Sequence, residues 1–142
     1  MTRINIHIPP KNLCNEHLFA EYREAKRIPN TIKSGKAVLK NIPASFKLGQ
    51  GHVKYFYNKL GYLKDRYYEL YDECIERGIN VQDYRNVFDN LPLNLMHEIG
   101  YKKEDKDIAL SRIEERLSEM EKIHYFNNKI TNQEAIKILN RC

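Results

Sequence analysis

The feature that most limits what this chain can become is a run of apolar residues at helical spacing in its middle: Val53, Phe56, Leu60, Leu63, Tyr67, Leu70 and Cys74. Steps of three and four residues put them all on one side of a 3.6-residue turn. The spacing predicts one long helix over His52–Arg77, ended by Gly78 as its C′ residue. Such a stripe has to be covered by other elements, so the rest of the chain is expected to pack across it. Tyr55, Tyr62 and Tyr68 fall off the stripe. They read either as amphipathic surface side chains or as platforms for stacking on bases.

The best candidate for a partner is His17–Arg27, HLFAEYREAKR. At about 100° per residue, Cys14, Leu18, Tyr22 and Ala25 form an apolar stripe. His17, Glu21 and Glu24 run along its border, and Arg23 and Arg27 sit one turn apart just beyond Glu24. A carboxylate at such a seam is pulled two ways. Burial opposes its charge and guanidinium groups favour it, which is the competition that tunes general acid–base groups. The same residues also fit a surface helix with ordinary ion pairs. Asn12 or Asn15 is the expected cap. The helix should run to about Lys26, because Pro29 should force Ile28 into an extended conformation.

The remaining segments fill in around these two. Ile4–Ile8 is short and reads as extended, and Pro9-Pro10 interrupts it. Asn30–Gln50 is basic and loop-like, with Lys33, Lys36, Lys40 and Lys47 able to follow a phosphate backbone. Gly49 and Gly51 at the start of the next helix either allow close backbone approach to an anion or simply make a turn. Ile79–Tyr101 is irregular. A third helix is expected over about Lys106–Lys122, with Ile108, Ile113, Leu117 and Met120 inside. Thr131-Asn132-Gln133-Glu134 has the form of a capping box, so Asn132–Asn140 reads as a short extra helix. The expectation is an all-α fold over residues 1–142, a single compact domain. It has three main helices, long irregular connections and a short C-terminal helix.

Charge narrows the partner. Residues 1–60 hold 11 Lys/Arg against 3 Asp/Glu, a surplus of +8, whereas residues 61–142 hold 13 against 16, a deficit of −3. A basic first half favours a polyanion. No run of about 18 apolar residues suggests a membrane span, and the N-terminus has no signal pattern. Cys14, Cys74 and Cys142 lack metal-ligand spacing. Cys14 and Cys74 lie on apolar helix faces as packed thiols. No metal or cofactor is expected, and the setting should be intracellular, cytoplasmic and reducing.

The chain starts MTRIN. Thr2 is small, so removal of Met1 is expected, which would free the Thr2 α-amine. Its pKa of about 7.7–8.0, against about 10.4 for lysine, leaves it neutral far more often at pH 7. A neutral amine can attack a sugar carbon and form a Schiff base.

MTRIN, HLFAEYRE with Arg27, and FKLGQGHVKYFYNKL together resemble, in order and approximate spacing, the phage-type pyrimidine-dimer DNA glycosylases, also called the bacteriophage type of endonuclease V. The likeness runs from Met1 to about Val81, with a weaker echo at Ile108–Ser111. It implies a DNA glycosylase with AP-lyase activity, acting as a monomer on double-stranded DNA with damaged or abasic sites. It implies Thr2 as the nucleophile and Glu24 as the catalytic carboxylate. Arg3, His17, Arg23, Arg27, Lys47, Gly49 and Gly51 become DNA contacts. Two departures stand out. The family's aromatic and basic tail is replaced by HYFNN and a further segment, and the inner helix, where the family places Arg and Lys, has Glu114 and Glu115 beside Arg112 and Arg116. Two other readings stay open: a DNA-binding relative without catalysis, and a helical interaction module docking through its aromatic second helix.

Overall fold

A computed structural model describes residues 2–141; the expected loss of Met1, and Cys142, lie outside the described residues. The elements are α1 (Asn15–Ala25), α2 (Arg27–Lys33), α3 (His52–Tyr55), α4 (Leu60–Glu76), α5 (Lys103–Glu119), β1 (Ile123–Tyr125), β2 (Asn128–Ile130) and α6 (Asn132–Leu139), with short 3₁₀ turns between some of them. The fold is mostly helical but not strictly all-α, because β1 and β2 form an antiparallel hairpin with Ile123 opposite Ile130. The HYFNN segment makes its turn, where Phe126 takes a φ of +54°.

The two stripes meet as expected. α1 packs across α4, and Leu18, Tyr22 and Ala25 are buried against Leu63, Tyr67 and Leu70. Tyr22 and Tyr67 stack with ring centroids 4.6 Å apart, a contact worth about 0.5–1.5 kcal/mol beyond burial. The cysteine expectation holds too: Cys14 and Cys74 are free and buried, and burial pushes each thiol up to about 11.

The long second helix does not run unbroken. It is a one-turn α3, a 3₁₀ turn over Phe56–Asn58, a kink at Lys59 (φ −124°, ψ 39°) and then α4. The kink exists because residues 96–98 press against the start of α4. Tyr62 N–H donates to His97 O at 3.1 Å, and a Cβ on Gly61 would stand 2.8 Å from Met96 O. Periodicity continues through the break because both pieces bury the same side. Tyr55 is buried and Tyr62 half-buried, so neither is an open stacking platform.

Local signals misled elsewhere for identifiable reasons. Pro29 does not end the helical path, because it falls in the first turn of α2, where a missing N–H costs nothing. Ile4–Ile8 is a buried turn rather than a strand: Ile8 N–H donates to Asn5 O at 3.2 Å, and His7 has φ +62°. Neither Asn12 nor Asn15 caps α1, whose N-cap is Cys14. Both amides are spent on distant backbone instead. Asn12 Nδ2 donates to Arg141 O at 2.8 Å, and Asn15 holds Phe126 at the hairpin tip through both its N–H and its carbonyl. α5 starts at Lys103, earlier than expected, and ends at Glu119. Its inner residues are Ala109, Ile113 and Leu117, while Ile108 is 39% exposed and Met120 is half-buried just past the helix end. The Thr131 capping box forms in full, with Glu134 N–H on Thr131 Oγ1 at 3.1 Å and Thr131 N–H on Glu134 Oε1 at 2.9 Å.

Candidate active site

The polar border of α1 faces a pocket of about 300 Å³. His17, Ala20, Glu21 and Glu24 come from α1, Arg3 and Asn5 from the N-terminal segment, and Arg112, Ile113 and Arg116 from α5. Helical spacing explains the α1 side, since 17, 20, 21 and 24 share one face. The same rule clarifies α5. Arg112 and Arg116, one turn apart, point into the pocket. Glu114 turns away to accept from Asn140 Nδ2 at 2.8 Å, and Glu115 is exposed. The departure read from Glu114 and Glu115 is therefore on the far side of the helix, and the inner face is cationic.

The pocket floor is a buried ion pair that sequence reading assigned no role. Arg66 of α4 is held bidentate by Glu21 through Nε and Nη2. Its Nη1 donates to Ile8 O at 2.8 Å, and Asn5 Nδ2 donates to Glu21 Oε1 at 2.7 Å. Burial alone would lower the Arg66 pKa, and the Glu21 carboxylate overrides it and raises it. Glu21 is thus committed to structure. Glu24, half-buried at the same border, is in no salt bridge among the described residues. Among the described residues Arg112 is in no salt bridge. It donates weakly to Ile4 O and Asn5 Oδ1 at 3.4 and 3.3 Å, and burial, with Arg3 next, pushes it down to about 10. It is still charged at neutral pH.

His17 sits among these cations. Burial, and then Arg116, lower its pKa, so the imidazole is neutral near pH 7, and its Nδ1 is buried with no hydrogen-bond partner among the described residues. His52 ties the wall together. Its Nε2 accepts from Ile4 N–H at 2.9 Å, which leaves Nδ1–H to donate to Lys47 O at 2.8 Å. Burial holds it neutral, the only form that can accept from Ile4. A histidine in GQGHV gave no sequence signal for this role, because its partner is 48 positions away.

Of the expected site residues, Arg3, His17 and Glu24 share the pocket. Thr2 directly precedes Arg3 and is 8% exposed. Arg23 and Arg27 are exposed beyond Glu24. Arg23 lines a separate groove on the opposite flank of α1, with Phe19, Lys26 and Tyr84. Lys47, Gly49 and Gly51 lie outside the pocket. Gly51 is the N-cap of α3 at φ +91°, with the Lys47 stem 3.3 Å from where a Cβ would stand. α3 is one turn long, so the dipole of a long helix is not available there. Among the described residues no His, Cys, Asp and Glu cluster could hold a metal ion, and no helix is long and apolar enough to cross a membrane.

The family model described as pyrimidine dimer DNA glycosylase matches residues 1–86, more than half of the chain. The matched part supplies the pocket's N-terminal wall and the face of α1. Arg112 and Arg116 come from outside it.

Proposed function

The chain belongs to the pyrimidine dimer DNA glycosylase family, and on that footing we propose that it cleaves the glycosidic bond of a damaged nucleotide and then the strand, with the Thr2 α-amine as nucleophile. The observation that supports this most is the pocket itself. One half-buried carboxylate without an ion-pair partner among the described residues, Glu24, faces three guanidinium groups beside the start of the chain. Such a surface attracts phosphate, and the carboxylate is the group suited to a positive charge on sugar.

In this reading, removal of Met1 frees the Thr2 amine and the substrate sugar enters from the pocket side. The nitrogen lone pair attacks C1′, the C1′–base bond breaks, and the base leaves with its electron pair and takes up a proton. Loss of the ring-oxygen bond at C1′ yields a protonated imine between Thr2 and the opened sugar. Glu24 stabilises that cation and accepts the C2′ proton. The C2′ electron pair then expels the 3′ phosphate by β-elimination, and water hydrolyses the imine to return the amine. Arg3, Arg112 and Arg116 hold phosphates around the opened nucleotide, and Arg23, Arg27 and Lys47 extend the cationic track. C1′ must be exposed for attack, which requires local distortion of the duplex.

The test is borohydride trapping on abasic and dimer-containing duplexes, with the adduct located by mass spectrometry. A reduced adduct on the Thr2 nitrogen is expected, and a chain with one residue inserted before Thr2 should form none. An adduct on a lysine, or trapping that survives the insertion, overturns the amine as nucleophile. Salt-sensitive DNA binding with no adduct overturns catalysis.

A further inference from the structure

The pocket does not use the segment between α2 and α3, residues 34–51, yet this is the most one-sided stretch of the chain. From Ala25 to Lys64 there is no Asp or Glu, and there are nine Lys and Arg. Long connections without regular structure are unusual inside compact folds and tend to carry function. This one is anchored at its far end. Phe46 is buried and packs edge-on against His52 and Phe56 at 5.4 and 6.2 Å, and Lys47 O is held by His52, which also holds Ile4. Two hydrogen bonds therefore connect the segment to the residue after Arg3. Its near end leaves α2, which follows directly on the helix that carries Glu24.

Its tip is apolar. Val38 is 61% and Leu39 47% exposed, and neither belongs to the core. Exposed Lys36 and Lys40 bracket the pair. Two adjacent branched aliphatics between two cations that are in no salt bridge among the described residues fit a polyanion with an apolar slot, and duplex DNA offers that combination in its minor groove. Apolar side chains inserted there part the stacked bases and bend the helix, while flanking lysines neutralise phosphates. We propose that residues 36–40 are a minor-groove wedge, with Val38 and Leu39 against the base edges and Lys36 and Lys40 on the phosphates. This rests on the DNA-directed reading above and supplies what it lacks, a means of distorting the duplex.

The experiment compares V38S/L39S and K36Q/K40Q with the unaltered chain on a duplex carrying one stable abasic analogue. Anisotropy reads affinity across a salt series, and energy transfer between end labels reads bending. All four positions are exposed, so thermal midpoints should not move. V38S/L39S should lose about tenfold or more in affinity and most of the bend, with an unchanged salt slope. K36Q/K40Q should lower that slope by about 1.8. Borohydride trapping on an abasic single strand, which needs no bending, should proceed at the unaltered rate in V38S/L39S. Duplex affinity and bending unchanged in V38S/L39S would overturn the wedge. If trapping at Thr2 fails while V38S/L39S still loses bending, the catalytic reading falls and the wedge stands.

Discussion

Replacing Glu21 by leucine isolates the contribution of the pocket floor. The Glu21 and Arg66 side chains are 1% and 6% exposed, so E21L leaves a guanidinium buried with no counter-charge. Breaking a buried pair from one side costs about 3–5 kcal/mol. For a chain of 142 residues, an unfolding entropy of about 2.1 cal/mol/K per residue makes that a fall of about 10–17 °C in thermal midpoint. R66L should cost a similar amount, since it strands the carboxylate. E21L/R66L removes both charges, but Asn5 Nδ2 and Ile8 O then lose their partners at about 1–3 kcal/mol each. The double variant should therefore be more stable than the sum of the singles predicts by about 2 kcal/mol or more. Urea titrations with linear extrapolation read all four corners of the cycle. Costs that add to within about 0.5 kcal/mol would refute the claim that the two charges act as one unit. The same bonds hold Asn5 and Ile8 in the N-terminal segment, so each single variant should also slow imine trapping.

Three shorter expectations accompany it. Glu24→Gln should reduce strand cleavage by about 10²–10⁴-fold and leave duplex affinity within a few fold; a matching loss of affinity would make the carboxylate structural. Arg112→Gln with Arg116→Gln should lower the salt slope of duplex binding by about 1.8, and an unchanged slope would remove them from the phosphate contacts. Burial lowers the pKa of His7, His17 and His52. The fold thus favours neutral imidazole, and its stabilisation is present above about pH 6.5 and lost as pH falls through the folded-state values. Thermal midpoints should decline from pH 6.5 toward 5. Part of that decline should vanish in His52→Gln, whose amide oxygen can still accept from Ile4; an equal slope in the variant would exclude His52 as a contributor.

The sequence alone determined the elements whose information is local and repeated. The stripes of α1 and α4, the Thr131 capping box, the helix end at Gly78 and the shared border of His17, Glu21 and Glu24 all follow from spacing within a few turns. The family likeness is what supports the role proposed for the chain start, which no periodicity could supply. Tertiary structure decided whatever depended on partners far along the chain. It broke the second helix where residues 96–98 press on it, drew Asn12 and Asn15 away from capping, and folded the tail into a hairpin. It also separated two carboxylates that look equivalent on paper: Glu21 meets Arg66 and is spent on the fold, while Glu24 is left facing the pocket. The physical reason is range. Helical spacing is set by bonds over three or four residues, whereas the ionic and hydrogen-bonding environment of a side chain is set by whatever the folded core brings within a few ångströms, here from 45 to about 110 positions away.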